Sequence, residues 1–223
     1  LLHPVLVWCG ELGRQCCLQA ESAGSVGAPL AGNDAEHALF VLAAGIALNR
    51  EQLHALLTQA KAIVHHTDFV IVGSLSILGA VSDPPRTMVM SIDVDTYLKN
   101  DPQRTYELAQ ALGQGSVFED EFGYYLDPVS PSLPSFPEGW QERLIPLDFG
   151  DVKAFFVQPD DVAVSKYMRG EERDLRWLLA GLKSGLLDMH TIERRIASAP
   201  ALEGELPAAR KRMARHRKAL KLT

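Results

Sequence analysis

The chain has 223 residues, of which 47% are hydrophobic and 22% charged, close to globular averages and enough for a packed core in one domain of ordinary size with an appendage. No apolar run approaches the ~20 residues that a bilayer-spanning helix needs, so a membrane-spanning protein of that kind is excluded. The net charge of −6 is unevenly spread: the seven basic residues between Arg210 and Lys221 leave 15 basic against 28 acidic residues elsewhere.

Residues 1–47 are rich in Ala, Gly and Leu and carry five charged residues. The sequence starts at Leu1, its first methionine is Met88, and the apolar run from His3 to Trp8 lacks the basic start and length of a secretory signal. The segment reads as an extraneous start, with a partner-binding extension as the alternative and a helix from Asp34 to Ala47 within it. It holds all three cysteines, Cys9, Cys16 and Cys17, whose spacing fits no zinc or C-x-x-C pattern. No glycosylation sequon occurs, and a cytoplasmic location is expected.

The expected core spans residues 48–158. Asn49 followed by Gln52 makes a capping-box start. Leu53, Leu56, Leu57, Ala60, Ile63 and Val64 then form an apolar stripe at helical spacing, and His65-His66 closes it as dipole or surface residues. Phe69 to Val72 is a short, wholly apolar run and predicts a buried strand. Leu75 to Val81 predicts a short helix, and Asp83-Pro84-Pro85 breaks it. A second strand is expected over Met88 to Val94, and a helix from Asp101-Pro102 to Leu112. Glu121 to Leu126 predicts a strand and Asp127 to Gly139 a loop. Trp140 to Phe149 and Val152 to Val157 predict a hairpin turning at Gly150-Asp151. Residues 159–223 then read as helices: Asp161 to Met168, Glu171 to Lys183, Asp188 to Ser198, and a last one from Glu205 to the basic end. This order predicts an α/β (α+β) protein, a small mixed sheet with flanking helices followed by a helical half.

Two features carry chemistry. The apolar run Phe69–Val72 ends abruptly in Gly73-Ser74, where backbone N–H groups and a hydroxyl can approach phosphates. Nineteen residues later Asp93 and Asp95 flank Val94. On a strand, residues two apart share a face, and two carboxylates side by side are costly unless a cation lies between them. Together these residues point to metal-dependent phosphoryl transfer, which needs placed phosphates and a divalent metal more than covalent help from the protein. Lys166 is a compact cation suited to a phosphate. Arg169 and Arg173, four apart, would share one helix face and suit a polyanion. A surface ion-pair lattice is the plainer account of these helices. The chain has no Walker A lysine motif, no G-x-S-x-G and no H-E-x-x-H.

The Gly-Ser turn paired with D-x-D resembles the signature of the polymerase-beta-like nucleotidyltransferases. More closely, the chain resembles the DUF6036 family, which relates to AbiEii-type toxins. The segments that carry this likeness are V-G-S-L-S-I-L-G-A at 72–80, S-I-D-V-D at 91–95, F-E-D-E-F-G-Y-Y at 118–125, G-W-Q-E-R-L at 139–144 and P-D-D-V-A-V-S-K-Y-M-R-G-E-E-R-D-L at 159–175. It covers about Asn49 to Ala197.

The resemblance implies a nucleotidyltransferase of the EC 2.7.7 type that moves a nucleoside monophosphate from an NTP to an acceptor hydroxyl. Gly73 and Ser74 would face the phosphates, and Asp93 and Asp95 would hold magnesium (or manganese). The family's helical acid, lysine and basic-acid pair fall on Asp161, Lys166, Arg173 and Asp174. A third metal carboxylate, on a later strand between apolar residues, is expected at Asp148 in Leu147-Asp148-Phe149; otherwise Asp148 is an ordinary hairpin acid. The acceptor would be an RNA or tRNA end or a protein side chain, and the setting a toxin with a cognate antitoxin. The alternative is a nucleotide- or partner-binding protein on the same fold without turnover. The basic end has two readings of its own, a nucleic-acid contact or a solvated last helix whose cations suit its C-terminal dipole.

Overall fold

The computed structural model describes residues 47–222. The expected helix from Asp34 and both readings of the N-terminal extension lie outside the described residues.

Helix α1 (Arg50–Val64) starts as its sequence dictates. The Asn49 side chain accepts from the Gln52 N–H at 2.9 Å, and the Gln52 side chain accepts from the Asn49 N–H at 3.1 Å. Its stripe is buried from Leu53 to Val64, except that Ile63 is 40% exposed.

Five strands form one mixed sheet: β1 (Asp68–Ile71), β2 (Asp93–Leu98), β3 (Tyr125–Pro128), β4 (Ile145–Asp148) and β5 (Lys153–Phe156), in the order β3-β2-β1-β5-β4. β1 lies at the centre, antiparallel to β2 and parallel to β5. Phe69, Val70 and Ile71 are all buried, as a central strand covered on both faces requires. β3 runs parallel to β2, and β4 closes the expected hairpin with β5.

Three strand predictions shift. Arg86–Val89 is helical (α3, after α2 at Ile77–Ala80), and β2 begins at Asp93, so that only the last two residues of the expected strand lie in it. A short apolar run does not by itself distinguish helix from strand. Here Met88 turns inward on a helical turn, and its carbonyl accepts from the Trp177 indole at 3.1 Å. The expected strand over Glu121 to Leu126 is helical at its first two residues and becomes a strand only at Tyr125. Ser116 caps it by accepting from the Glu119 N–H at 3.2 Å, so helix α5 (Val117–Phe122) precedes β3. The long strand from Trp140 reduces to β4. The helix expected after Asp101 is a tight helical stretch, Pro102–Leu108, running into α4 (Ala109–Leu112).

The C-terminal half consists of α6 (Pro159–Arg169), α7 (Glu172–Lys183), α8 (Met189–Arg195) and α9 (Glu205–Leu220). α6 packs on the other three and reaches the turn that follows β1. Its buried face of Val162, Ala163, Val164, Tyr167 and Met168 thereby aims Lys166 at the end of the central strand. Among the described residues, no helix is long and apolar enough to cross a membrane.

Candidate active site at the end of the central strand

β1 runs out through Val72 into Gly73, which takes φ +68°. A Cβ at this position would lie 1.8 Å from Asp95 Oδ2. Only glycine allows both the positive φ and the passage beneath that carboxylate. The Val72 N–H donates to the Asp95 carbonyl at 3.0 Å, and the Ser76 hydroxyl donates to the Gly73 carbonyl at 2.8 Å. The turn and the acidic strand are thus fastened to each other.

Strand alternation puts Val94 in the core and leaves Asp93 and Asp95 together on the other face, both half-buried. The parallel neighbour β3 sets Asp127 directly beside Asp95 and Tyr125 beside Asp93. One oxygen from each of Asp93, Asp95 and Asp127 lies within 4.8 Å of the others. Ser91 donates a hydrogen bond to Asp93. Burial, reinforced by Asp93 and Asp127, pushes the Asp95 carboxyl up to about 7, against the opposing pull of Lys166 and Arg169. Burial and Asp93 also raise Asp127. Three converging hard oxygen donors of like charge fit a divalent cation, which would relieve their mutual repulsion.

The cationic side of the site comes from the helical half. Lys166 Nζ donates to Ser74 Oγ at 3.0 Å and to Asp174 Oδ1 at 3.0 Å, with its side chain 5% exposed and that of Asp174 fully buried. Arg169 forks onto the same carboxylate, Nε to Oδ2 and Nη2 to Oδ1, both at 2.7 Å. Burial raises Asp174, but the Arg169 fork and Lys166 overcome it and hold the acid below the usual carboxylate range. Burial lowers the Lys166 ammonium, and Asp174 opposes that shift. Asp174 therefore aims both cations at the space beside Gly73 and Asp95. That space is a cavity of about 340 Å³, lined also by Phe136, Ser165 and Glu205.

Three of the residues singled out from sequence, Asp148, Arg169 and Arg173, sit otherwise than expected. Asp148 lies on β4, paired with Lys153, and its carboxylate accepts from the Gly150 N–H at 2.7 Å. β4 is three strands from β2, ~14 Å at normal strand spacing, and Asp148 is level with Asp68 at the opposite end of β1. It is a hairpin acid, and Asp127 stands where the third carboxylate was expected. Asp161 stands in the first turn of α6 and meets arginines rather than Lys166. It is fully buried and takes Arg143 Nε at 2.8 Å and Arg195 Nη1 at 3.0 Å, tying the segment before β4 and helix α8 to the first turn of α6. Arg169 and Arg173 do not share a helix face, because Gly170, at φ +70°, ends α6 between them. Arg173 pairs with Glu171 at 2.9 Å and is 61% exposed. It lines a second cavity of about 240 Å³ with Ser74 and Asp93, so it reaches the other flank of the acids.

The prolines that follow Asp127 make it read from sequence as the head of a loop rather than as a strand residue. Its signal was present: Leu126-Asp127-Pro128 is an acid between apolar residues just after the paired tyrosines. Tyr124, just before β3, is buried to 3% exposure, with its hydroxyl donating to the Gln52 carbonyl at 3.1 Å.

No curated protein and no solved structure matches the chain. A family model does match, over residues 51–216, well beyond half of the sequence. The chain belongs to that family, DUF6036, the nucleotidyltransferases of unknown function.

Proposed function

We propose that the protein transfers a nucleoside monophosphate from an NTP to an acceptor hydroxyl. The observation that carries this reading is the convergence of Asp93, Asp95 and Asp127 beside a Gly-Ser turn that a buried lysine contacts. Ser74, Lys166 and Arg169 bind and orient the triphosphate. Arg173 meets anionic groups from the opposite flank. A divalent cation held by the three carboxylates supplies neutralisation of the charge on the transferring phosphates. The acceptor oxygen forms a bond to the α-phosphorus, the bond from that atom to the β-phosphate oxygen breaks, and pyrophosphate leaves. The acceptor's proton passes to a carboxylate. Asp127 suits this role, since its strand is the outer edge of the sheet and an acceptor can approach there without crossing the triphosphate.

Asp127 also supports turnover over binding alone, because a pair of acids without a third partner would favour the non-catalytic alternative. The acceptor is an RNA or tRNA end or a protein side chain. The cellular role we propose is that of a toxin, with growth arrest relieved by a cognate antitoxin as the consequence. The test is incubation with each α-labelled NTP, magnesium or manganese, and total RNA or cell protein. Label should enter the acceptor fraction with wild type and be lost with Asp93→Ala and Asp95→Ala. Incorporation that survives both substitutions sinks the reading.

A further inference from the structure

Helix α9 carries more cations than the fold uses. Ala209 and Met213 are buried, and Leu206 and Leu220 pack against the core. Arg212 Nη1 donates to the Tyr167 carbonyl at 2.8 Å and the Met168 carbonyl at 3.2 Å, covering Gly170 at the end of α6, where a Cβ would come within 2.1 Å of the guanidinium. His216 Nδ1 pairs with the Tyr167 hydroxyl at 2.8 Å, and Arg217 lies 3.1 Å from Glu193. These contacts fix α9 to α8 and to α6, the helix that holds Lys166 and Arg169. The remaining basic residues of the helix, Arg210, Lys211, Arg215 and Lys218, are exposed and make no hydrogen bond or ion pair with the described residues. At 3.6 residues per turn all four fall within an arc of ~140°. No acid shares that arc, and its apolar members are Pro207 and Ala214.

We propose that this face of α9 docks the phosphate backbone of a single-stranded nucleic acid. The charge complementarity is local: outside Arg210–Lys221 the sequence holds 28 acids against 15 bases, so a polyanion is repelled by most of the protein and drawn to this arc. A lipid surface fits it poorly, because the larger apolar residues of α9 point into the protein and the outward face has nothing to bury. The helix spans ~24 Å and begins at Glu205, which lines the cavity shared with Asp95, Lys166 and Arg169. A strand laid along α9 therefore leads toward that cavity. Only this last step, presentation of the strand's end as acceptor, rests on the proposed transfer reaction; docking itself does not.

The test uses the full chain and a fluorescent single-stranded RNA of mixed sequence, followed by anisotropy without magnesium. Four phosphate contacts give a slope of log K against log salt of about −3 on a single strand, or roughly a 50-fold loss of affinity between ~50 and ~200 mM. Exchanging Arg210, Lys211, Arg215 and Lys218 for Glu, or for Gln in a second variant, should remove most of the binding and flatten the slope while the unfolding temperature stays near that of wild type. Asp95→Asn, which disables the acidic site, should bind RNA as wild type does, so a failed transfer reaction and a failed docking surface give different patterns. The proposal is overturned if wild type does not bind RNA, or if the Gln variant keeps the full slope. It is also overturned if polyglutamate of matched charge competes as well as RNA, or if anionic vesicles bind while RNA does not.

Discussion

Replacing Asp95 by Asn removes one of three negative charges whose oxygens lie within 4.8 Å, and it should make the metal-free protein more stable. In the folded chain Asp95 keeps its proton up to about 7, against 3.8 for the ordinary carboxyl. The folded state then binds more protons than the unfolded state between those values, so stability falls as pH rises through that window. The difference corresponds to a ceiling of about 4 kcal/mol at alkaline pH, using ~1.4 kcal/mol per pKa unit. Asp95 is only half-buried, so solvent screening and local relaxation reduce this to about 2 kcal/mol. Thermal unfolding of Asp95→Asn near pH 8 should therefore lie about 4–8 °C above wild type for a protein of this size. Near pH 4 the two should converge. Magnesium should reverse the order, since a ligand at ~100 times its dissociation constant adds about 2.7 kcal/mol to the form that binds it. Equal stability of the two proteins at both pH values, or an Asn variant less stable near pH 8, refutes the reasoning.

Gly73→Ala forces a Cβ into the Asp95 carboxylate at a positive φ; transfer should fall at least about 100-fold, with a stability loss of about 1–3 kcal/mol measured by denaturant unfolding. Asp174→Ala strands a buried lysine and both arms of the Arg169 fork, a change of about 3–5 kcal/mol. Adding Lys166→Met should recover part of that stability but none of the activity. Arg143→Ala leaves Asp161 with Arg195 as its cationic partner, so unfolding should move to lower denaturant while kcat and KM of the folded protein stay within about threefold of wild type; a selective loss of kcat would place Asp161 in the catalytic machinery after all.

The sequence exposed those parts of the fold and site where local chemistry and tertiary position agree. The capping box at Asn49, the apolar run of β1, the Gly73 turn and the Asp93/Asp95 pair all follow from residue type and spacing, and the structure keeps them together. What escaped was set by neighbours distant in sequence. Met88–Val89 has the composition of a strand but turns helical against Trp177. Asp161 and Asp174 both occupy the first turn of a helix and look alike in sequence. Only tertiary packing gives Asp161 to Arg143 and Arg195, and Asp174 to Lys166 and Arg169. Asp127 and Asp148 are each an acid between apolar residues on a short strand. The sheet order, which places β3 beside β2 and β4 at the far edge, decides which of them joins the acidic pair.

The claim that Asp127 completes the site is therefore tested most directly by comparing metal-dependent NTP transfer in Asp127→Ala and Asp148→Ala, each first confirmed to unfold cooperatively. Asp127→Ala should lose at least about 100-fold in rate, together with the stabilisation by magnesium, while Asp148→Ala retains both. Activity that survives loss of Asp127 and disappears with Asp148 contradicts the claim.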